Sequence, residues 1–198
     1  MIGEKWNIFC QWIIQLIFLN MLWIMTVILG FIIFGFGPAT YASYSTIRQW
    51  QKSGLAHNTW FYYSKYLKEN IKHNIIFGIS FLAFIVIILI DLLAVKHFIL
   101  RTGLFISTFL AAPIILLYFP IKAHFDFENY KDCFKLIYQL FIRNILWCLI
   151  MFVTLILFVY LMIRWLPAYF ILIGIAGTHY LIAFFLKKIY IKENVWEL

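Results

Sequence analysis

The side chains that could do chemistry in this sequence are few, and they lie far apart. The densest group is His124-Phe125-Asp126-Phe127-Glu128. On a helix His124 and Glu128 would share a face, and on a strand all three polar residues would line up. Such a set could begin a metal site or an acid–base pair, but either needs further groups at fixed geometry and a pocket that excludes bulk water. No His-Glu-x-x-His helix, phosphate-binding glycine loop or nucleophile accompanies it. The segment therefore reads as a wet turn, and no catalytic residue, cofactor or metal ligand is expected. Cys10, Cys133 and Cys148 are scattered without a Cys-x-x-Cys spacing, which indicates neither a disulfide framework nor a zinc site.

A second class of candidates consists of isolated polar residues inside apolar runs. Asn20, Thr154 and His179 (with Thr178 beside it) each fall near the middle of one, and Asp91 falls one turn from the end of another. Polar groups at membrane depth cost several kcal/mol when unpaired, so they should face the interior of a bundle. They could form a polar spot for a solute or a proton. The plainer reading is interhelical hydrogen bonding, at about 0.6–2 kcal/mol per contact. His179 stands out because an imidazole can switch charge near neutral pH. Gln11, Gln15 and Thr26 share one stripe of the first apolar segment while Asn20 points nearly the other way. That helix is expected to have neighbours on both sides. Asp91 reads as a solvated interfacial carboxylate, or as a partner of Lys96, Arg101 or Arg164 on the same side.

The elements that position these residues follow from composition. Of the 198 residues 65% are hydrophobic and only 12% charged, against about a quarter charged in a soluble domain. Several apolar runs exceed ~18 residues, the length of a transmembrane helix. An all-α, polytopic membrane bundle forming a single domain over 1–198 is expected, with five spans at 10–35, 74–95, 102–120, 145–163 and 168–186. The stretch Ile8 to Phe36 is too long for a signal-peptide core of roughly 7–15 residues and is expected to remain as an anchor.

Lys and Arg then sort by side. One set of connections holds Arg48, Lys52, Lys65, Lys68, Lys72, Lys122, Lys131, Lys135, Arg143, Lys187, Lys188 and Lys192, while the other holds Lys5, Lys96, Arg101 and Arg164. Basic short loops mark the cytoplasmic face, which gives an N-terminus outside and a C-terminus inside. The net charge of +8 is thus a topology signal and an attraction to anionic membrane lipid, not a nucleic-acid footprint.

The first span, with its break, occupies 9–40. It stops at Gly35-Phe36-Gly37-Pro38, where glycine frees the backbone and proline removes a donor. A second helix can restart from Thr40 with Pro38 near its first turn. Further on, Trp60, Tyr63, Ser64, Leu67, Ile71 and Asn74 fall on one helical face opposite Lys65, Lys68, Glu69 and Lys72. Seventy residues later Tyr130, Cys133, Phe134, Ile137, Phe141 and Asn144 repeat the phase opposite Lys131, Asp132, Lys135, Gln139 and Arg143. These are two basic, amphipathic, cytoplasmic interfacial helices. Each precedes a pair of spans, so 60–122 and 130–188 read as repeat units. Gly103, Ser107 and Ala111 form a small-residue stripe, and Gly174, Ala176 and Gly177 another. Pro113 should kink the third span and Pro120 help to end it.

Taken in order, these segments resemble the YesL family of bacterial membrane proteins. The resemblance runs through Asn20-Met21-Leu22-Trp23, Gly37-Pro38-Ala39-Thr40 with Tyr44, Phe61 to Asn74, Tyr118-Phe119-Pro120 with Phe125-Asp126, and Lys135 to Asn144. It departs at Ile28-Leu29-Gly30-Phe31, where the family commonly places a proline. The resemblance implies a multi-pass protein of the bacterial cell membrane whose relatives often stand beside carbohydrate ABC importers and sugar-degrading enzymes. It supplies no settled activity and no ligand residues. The expected function is a non-enzymatic accessory membrane protein serving such an uptake system, with ABC transporter subunits as partners. The alternative is a small-solute transporter or channel, for which a homo-oligomer is allowed. A lipid- or glycan-directed enzyme built on His124, Asp126 and Glu128, or on Asp91, ranks third.

Overall fold

The computed structural model describes residues 2–54, 58–94, 97–125, 127 and 130–195. In chain order the helices are α1 (Ile2–Leu29), α2 (Phe36–Ser53), α3 (Thr59–Lys68), α4 (Ile71–Ala94), α5 (Phe98–His124), α6 (Tyr130–Arg143) and α7 (Ile145–Trp165). A short α8 (Pro167–Tyr169) then leads through a π-helical turn, Phe170–Gly174, into α9 (Ile175–Lys192). Among the described residues there is no strand, and the protein is an all-α helical membrane bundle. Four stretches are long and apolar enough to span a bilayer: Trp6–Leu29, Ile71–Asp91, Ile145–Trp165 and Pro167–Lys192. They coincide with four of the five spans read from the sequence. The fifth lies within α5, whose apolar stretch Ile99–Thr108 is shorter.

The chief departure from expectation is α2. The segment after the break was assigned to a cytoplasmic connection, yet α2 is the buried centre of the bundle. Every residue from Gly37 to Ile47 is buried, as is Trp50. Helices α1, α3, α4, α5 and α9 all pack around it. The break itself falls earlier than expected, at residues 30–35, and α2 starts at Phe36 with Pro38 in its first turn. The turn takes left-handed backbone at Phe31 and Ile32, and Gly30 packs against Gly35 so closely that a Cβ would lie 2.4 Å from the Gly35 Cα. Each backbone N–H from Gly30 to Phe36 nevertheless finds a carbonyl within the turn or the end of α1. Phe31, Ile32, Ile33 and Phe34 point outward and exposed. An apolar turn whose N–H groups are internally bonded suits hydrocarbon, where no water could take them.

Helix direction corrects a second expectation. Trp12 packs on Tyr180 at a centroid distance of 4.0 Å, and Asn20 meets Ile171 and Ala176, so α1 runs antiparallel to α9. The N-terminal end of α1 and the C-terminal end of α9 therefore lie at the same end of the bundle, not at opposite ends. The hairpin α1–α2 doubles back, as the Trp23–Thr40 and Trp12–Trp50 contacts require. Helices α2, α5 and α9 all finish at this shared, lysine-rich end. There Arg48 donates to the Ala123 carbonyl at 3.0 Å and Lys187 to the Gln51 carbonyl at 3.3 Å. Cations on the last carbonyls of neighbouring helices satisfy acceptors that the helices leave orphaned and oppose their dipoles.

Helices α4–α5 and α7–α9 form two hairpins built alike. Lys122 donates to the Asn74 side-chain carbonyl at 2.9 Å, and Lys192 donates to that of Asn144 at 2.9 Å. Both partners are displaced by 70 residues, the offset read between the two amphipathic segments. Lys122 also lies over the Phe77 ring and Lys188 over the Trp147 ring, again 70 apart for the aromatic partner. The amphipathic helices differ in setting. In α6, Cys133, Ile137 and Leu140 are buried while Lys131, Lys135 and Arg143 are exposed, as expected. In α3, by contrast, Tyr63 is only 2% exposed and reaches the Leu22 carbonyl and Thr26 on α1. That helix is held against α1 and α2 and ends at Lys68, with Asn70 in left-handed backbone before α4.

The small-residue stripes also divide. A Cβ on Gly103 would meet nothing within 4 Å, so this glycine mediates no close approach. Helix α5 continues past Pro120 to His124. Gly37 and Gly78, by contrast, bring α2 and α4 into backbone contact, since a Cβ on Gly37 would lie 1.8 Å from the Asn74 carbonyl oxygen. Gly37→Ala should therefore destabilise the bundle by about 1–3 kcal/mol, as overpacking does, lowering its melting temperature in detergent. Gly103→Ala should leave melting unchanged or raise it slightly, because alanine favours helix by about 1 kcal/mol. Glu193 supplies a pH test: the Asn144 amide first, then Arg143, hold its carboxyl below the usual carboxylate range. Because that value is lowered by folding, the clasp is complete above the ordinary carboxyl range and is lost as pH falls through the lowered value. Protease protection of the C-terminal end of α9 should fall over that acid window, and Glu193→Gln should remove the pH dependence.

Candidate functional site

The residues singled out in the sequence fall into two clusters and several outliers. Asn20 stands alone on one side of α1. Its amide donates to the Ile171 carbonyl at 2.8 Å, and its side-chain oxygen accepts from the Ala176 N–H at 2.9 Å. Ile171 lies within the π-helical turn and Ala176 just beyond it, where wider winding disturbs the regular ladder. Asn20, fully buried, thus pins α1 to the one irregular point of the last span. On the other side of α1 Gln15 bonds Thr59 and Thr26 accepts from the Tyr63 hydroxyl at 3.0 Å. The two polar sides of this helix do meet two neighbours.

Trp23, Gly37, Pro38, Thr40 and His179 come together around the first half of α2. The indole N–H of Trp23 donates to Thr40 Oγ1 at 3.2 Å, and the Thr40 hydroxyl donates to the Phe36 carbonyl. Gly37 and Pro38 set the first turn of α2 and bring it against α4. One turn on, Ser43 Oγ and His179 Nδ1 lie 2.9 Å apart, tying α2 to α9. The Tyr44 ring lies tilted over the imidazole with centroids 4.5 Å apart. Tyr44 is 4% exposed, and its hydroxyl has no hydrogen-bond partner among the described residues.

This cluster forms one wall of a cavity of about 560 Å³. Helix α2 contributes Phe36, Thr40 and Tyr44, while α4 and α5 contribute Phe81, Leu116 and Phe119. Helices α7 and α9 close the remaining side with Phe152, Ile156, Tyr160, His179 and Ile182 among others. The cavity therefore lies on the seam between the two hairpins, with α2 behind it. Among the described residues its lining carries no charged side chain. A second space of about 230 Å³ lies between α4, α5 and α6 among Phe77, Phe84, Tyr118 and Phe134. Below Tyr44, toward the lysine-rich end, a space of about 20 Å³ is bounded by Arg48, Gln51, His124 and Tyr190.

The remaining candidates do not assemble into a site. His124 is 4% exposed, packed against Phe125 and Tyr190, and so is not part of a wet turn. Asp126 and Glu128 lie outside the described residues. Among the described residues no group of three or more His, Cys, Asp or Glu could hold a metal. Asp91, in the last turn of α4, is half-buried and makes no ion pair with a described residue. Thr154 and Thr178 return their hydroxyls to carbonyls of their own helix. Sequence reasoning missed Ser43 and Gly78, and it used Tyr44 only as part of a resemblance. The available signal was the run Ala39-Thr40-Tyr41-Ala42-Ser43-Tyr44-Ser45-Thr46, small and hydroxyl-bearing on every face of one helix. That composition suits close helix contact inside a membrane protein.

Comparison with known proteins agrees with this map. Residues 16–92, from mid-α1 through most of α4, match the family described as "Protein of unknown function, DUF624". The uncharacterized protein YteU of Bacillus subtilis is 34% identical over 130 residues, covering 61% of this chain and 57% of YteU. The uncharacterized protein YesL of the same organism is 28% identical over 123 residues, covering 61% of this chain and 59% of YesL. The chain thus spans under three fifths of the length of either relative. No solved structure matches. The matched family segment contains Asn20, Trp23, Gly37, Pro38 and Thr40 and takes in the α1–α2 hairpin, α3 and most of α4. The chain is thus similar to the YesL-like proteins, and its residues 16–92 to the DUF624 family.

Proposed function

We propose that this protein is a non-enzymatic accessory protein of the bacterial cell membrane, working beside a carbohydrate uptake system of the ABC type. The observation that carries the reading is the use of the mid-membrane polar groups. Asn20, Thr40 and Ser43 are spent on bonds between or within helices, and no charged side chain lines the large cavity among the described residues. A sugar bears several hydroxyls, each needing a partner when it leaves water. A passage for sugar would have to supply such partners along its length, and this bundle keeps its own for packing. The accessory role falls to lateral surface: exposed apolar faces on α4 and α7, and the basic faces of α3 and α6. These suit contact with another membrane protein and with anionic lipid. The link to carbohydrate uptake rests on the company that the family keeps.

A second reading, a small-solute transporter, is favoured by the placement of the cavity on the seam between two similar hairpins. Transporters built from repeats bind their cargo at such seams. Purification from native membrane in mild detergent, with mass spectrometry of what accompanies the protein, separates the two. The accessory reading expects importer membrane subunits at near-stoichiometric yield; their absence after gentle cross-linking would count against it. Asn20→Leu should lower the melting temperature, since leaving the Ile171 and Ala176 groups unpaired costs about 1–3 kcal/mol. In liposomes, wild-type protein should pass no labelled sugar. Sugar flux that disappears in His179→Ala would establish the transporter instead.

A further inference from the structure

We infer that the cavity between the two hairpins is a binding site for a neutral, ring-bearing amphiphile with acceptor oxygens on its ring, a molecule of the prenylated quinone type taken from the bilayer. Four observations converge on that class. The first is access. Ile156 and Tyr160, on the α7 side of the cavity, are 69% and 60% exposed, on a helix long and apolar enough to span a membrane. A ligand entering past them arrives through hydrocarbon, so it must partition into lipid.

The second is charge. Among the described residues no Asp, Glu, Lys or Arg lines the cavity, and an ionised group placed there would meet no counter-ion among them. The ligand is therefore neutral. The third is shape. Phe36 and Phe81, stacked with an interplanar angle of 14°, both border the cavity, and Phe119, Phe152 and Tyr44 add further rings. Aromatic faces favour a planar partner over a flexible chain. A volume of about 560 Å³ falls within the range of sites that hold ring-sized ligands and leaves room for the start of a tail.

The fourth is the pattern of polar groups at the α2 wall. Tyr44 is 4% exposed and lines the cavity, and its hydroxyl has no hydrogen-bond partner among the described residues. His179 lines the same wall with Nδ1 engaged by Ser43, which leaves Nε2 as its nitrogen for a ligand. When Ser43 donates to Nδ1, Nε2 carries the proton and points the site toward acceptors. Two donors beside one another, in an otherwise apolar space, match ring carbonyl oxygens. A plain hydrocarbon chain would leave the Tyr44 hydroxyl unmet. The proposal concerns binding alone and is independent of whether the protein serves an importer.

The test uses the full chain in lipid nanodiscs with a tritiated 2-prenyl-1,4-naphthoquinone, its retention read by scintillation proximity. Saturable binding in the micromolar range is expected. The matching 2-prenylnaphthalene, which lacks the oxygens, and an unbranched sixteen-carbon alcohol should each compete at least tenfold more weakly than unlabelled quinone. Tyr44→Phe should weaken binding about tenfold. Ile156→Trp, placed at the exposed rim where it leaves the core untouched, should block entry and abolish saturable retention while melting stays at the wild-type value. Non-saturable retention, equal competition by the alcohol, or undiminished binding in a folded Ile156→Trp protein would each overturn the assignment.

Discussion

Helix α2 cannot face hydrocarbon, and most of the architecture follows from that constraint. It buries Thr40, Ser43, Ser45 and Thr46 on successive faces, together with a glycine and a proline in its first turn. Thr40 and Thr46 bond carbonyls of their own helix, but exposed to lipid Ser43 would lose His179 and Thr40 the Trp23 indole to a solvent that cannot replace them. Packing five helices around it removes the exposure. Small side chains allow those neighbours to come close, and the crossing of Gly37 over Gly78 is the tightest case. Close approach then raises the dispersion contact that drives helix association in membranes, where the hydrophobic effect between helices is absent.

That arrangement explains what could and could not be read from the chain. Long apolar runs located four spans, and the phase of Tyr130 to Asn144 located α6, because both signals are local periodicities. The pairings Asn74–Lys122 and Asn144–Lys192 were foreshadowed by the match of Asn74-Ile75 to Asn144-Ile145. A helix restarting from Thr40 was read, but its place at the buried centre of the bundle was illegible for the opposite reason. A hydrophobicity rule scores Ser, Thr, Gly and Pro as loop, and it has no means of knowing that other helices will supply the apolar surroundings. Misplacing α2 then reversed α1. With the segment after the break assigned to the cytoplasm, the first span had to begin outside; once α2 returns through the bundle, α1 must start at the lysine-rich end.

The polar residues at depth show the same division. Their presence was plain in the sequence, and the two polar sides of α1 correctly implied two neighbours. Their partners were not, because Asn20 bonds backbone groups, the Ile171 carbonyl and the Ala176 N–H, and no side-chain pattern encodes those. Every carbonyl and amide in the chain is a candidate until the fold excludes all but two. His179 was singled out for its imidazole, yet what gives it a defined orientation is Ser43, an unremarked residue on a helix assigned to a loop.

The two hairpins share the Lys–Asn pairing at matching positions, and α2 has no counterpart in either. If the units α4–α5 and α7–α9 simply packed face to face, their seam would be closed by equivalent side chains. Instead one side of the seam is occupied by a helix from outside the repeat, which fills its lower part with Tyr44, Arg48 and Gln51 and leaves the upper part open. Tyr44 borders both the large cavity and the small space beneath it, so its ring is the floor of one and the roof of the other. Holding that floor in place are the Ser43–His179 bond above and the Arg48–Ala123 bond one turn below. The shape of the cavity is therefore set by a single turn of α2, anchored at both ends to helices of different hairpins. A shift of one hairpin against the other has to pull on these two bonds in different directions, which couples the width of the cavity to the register of the whole bundle.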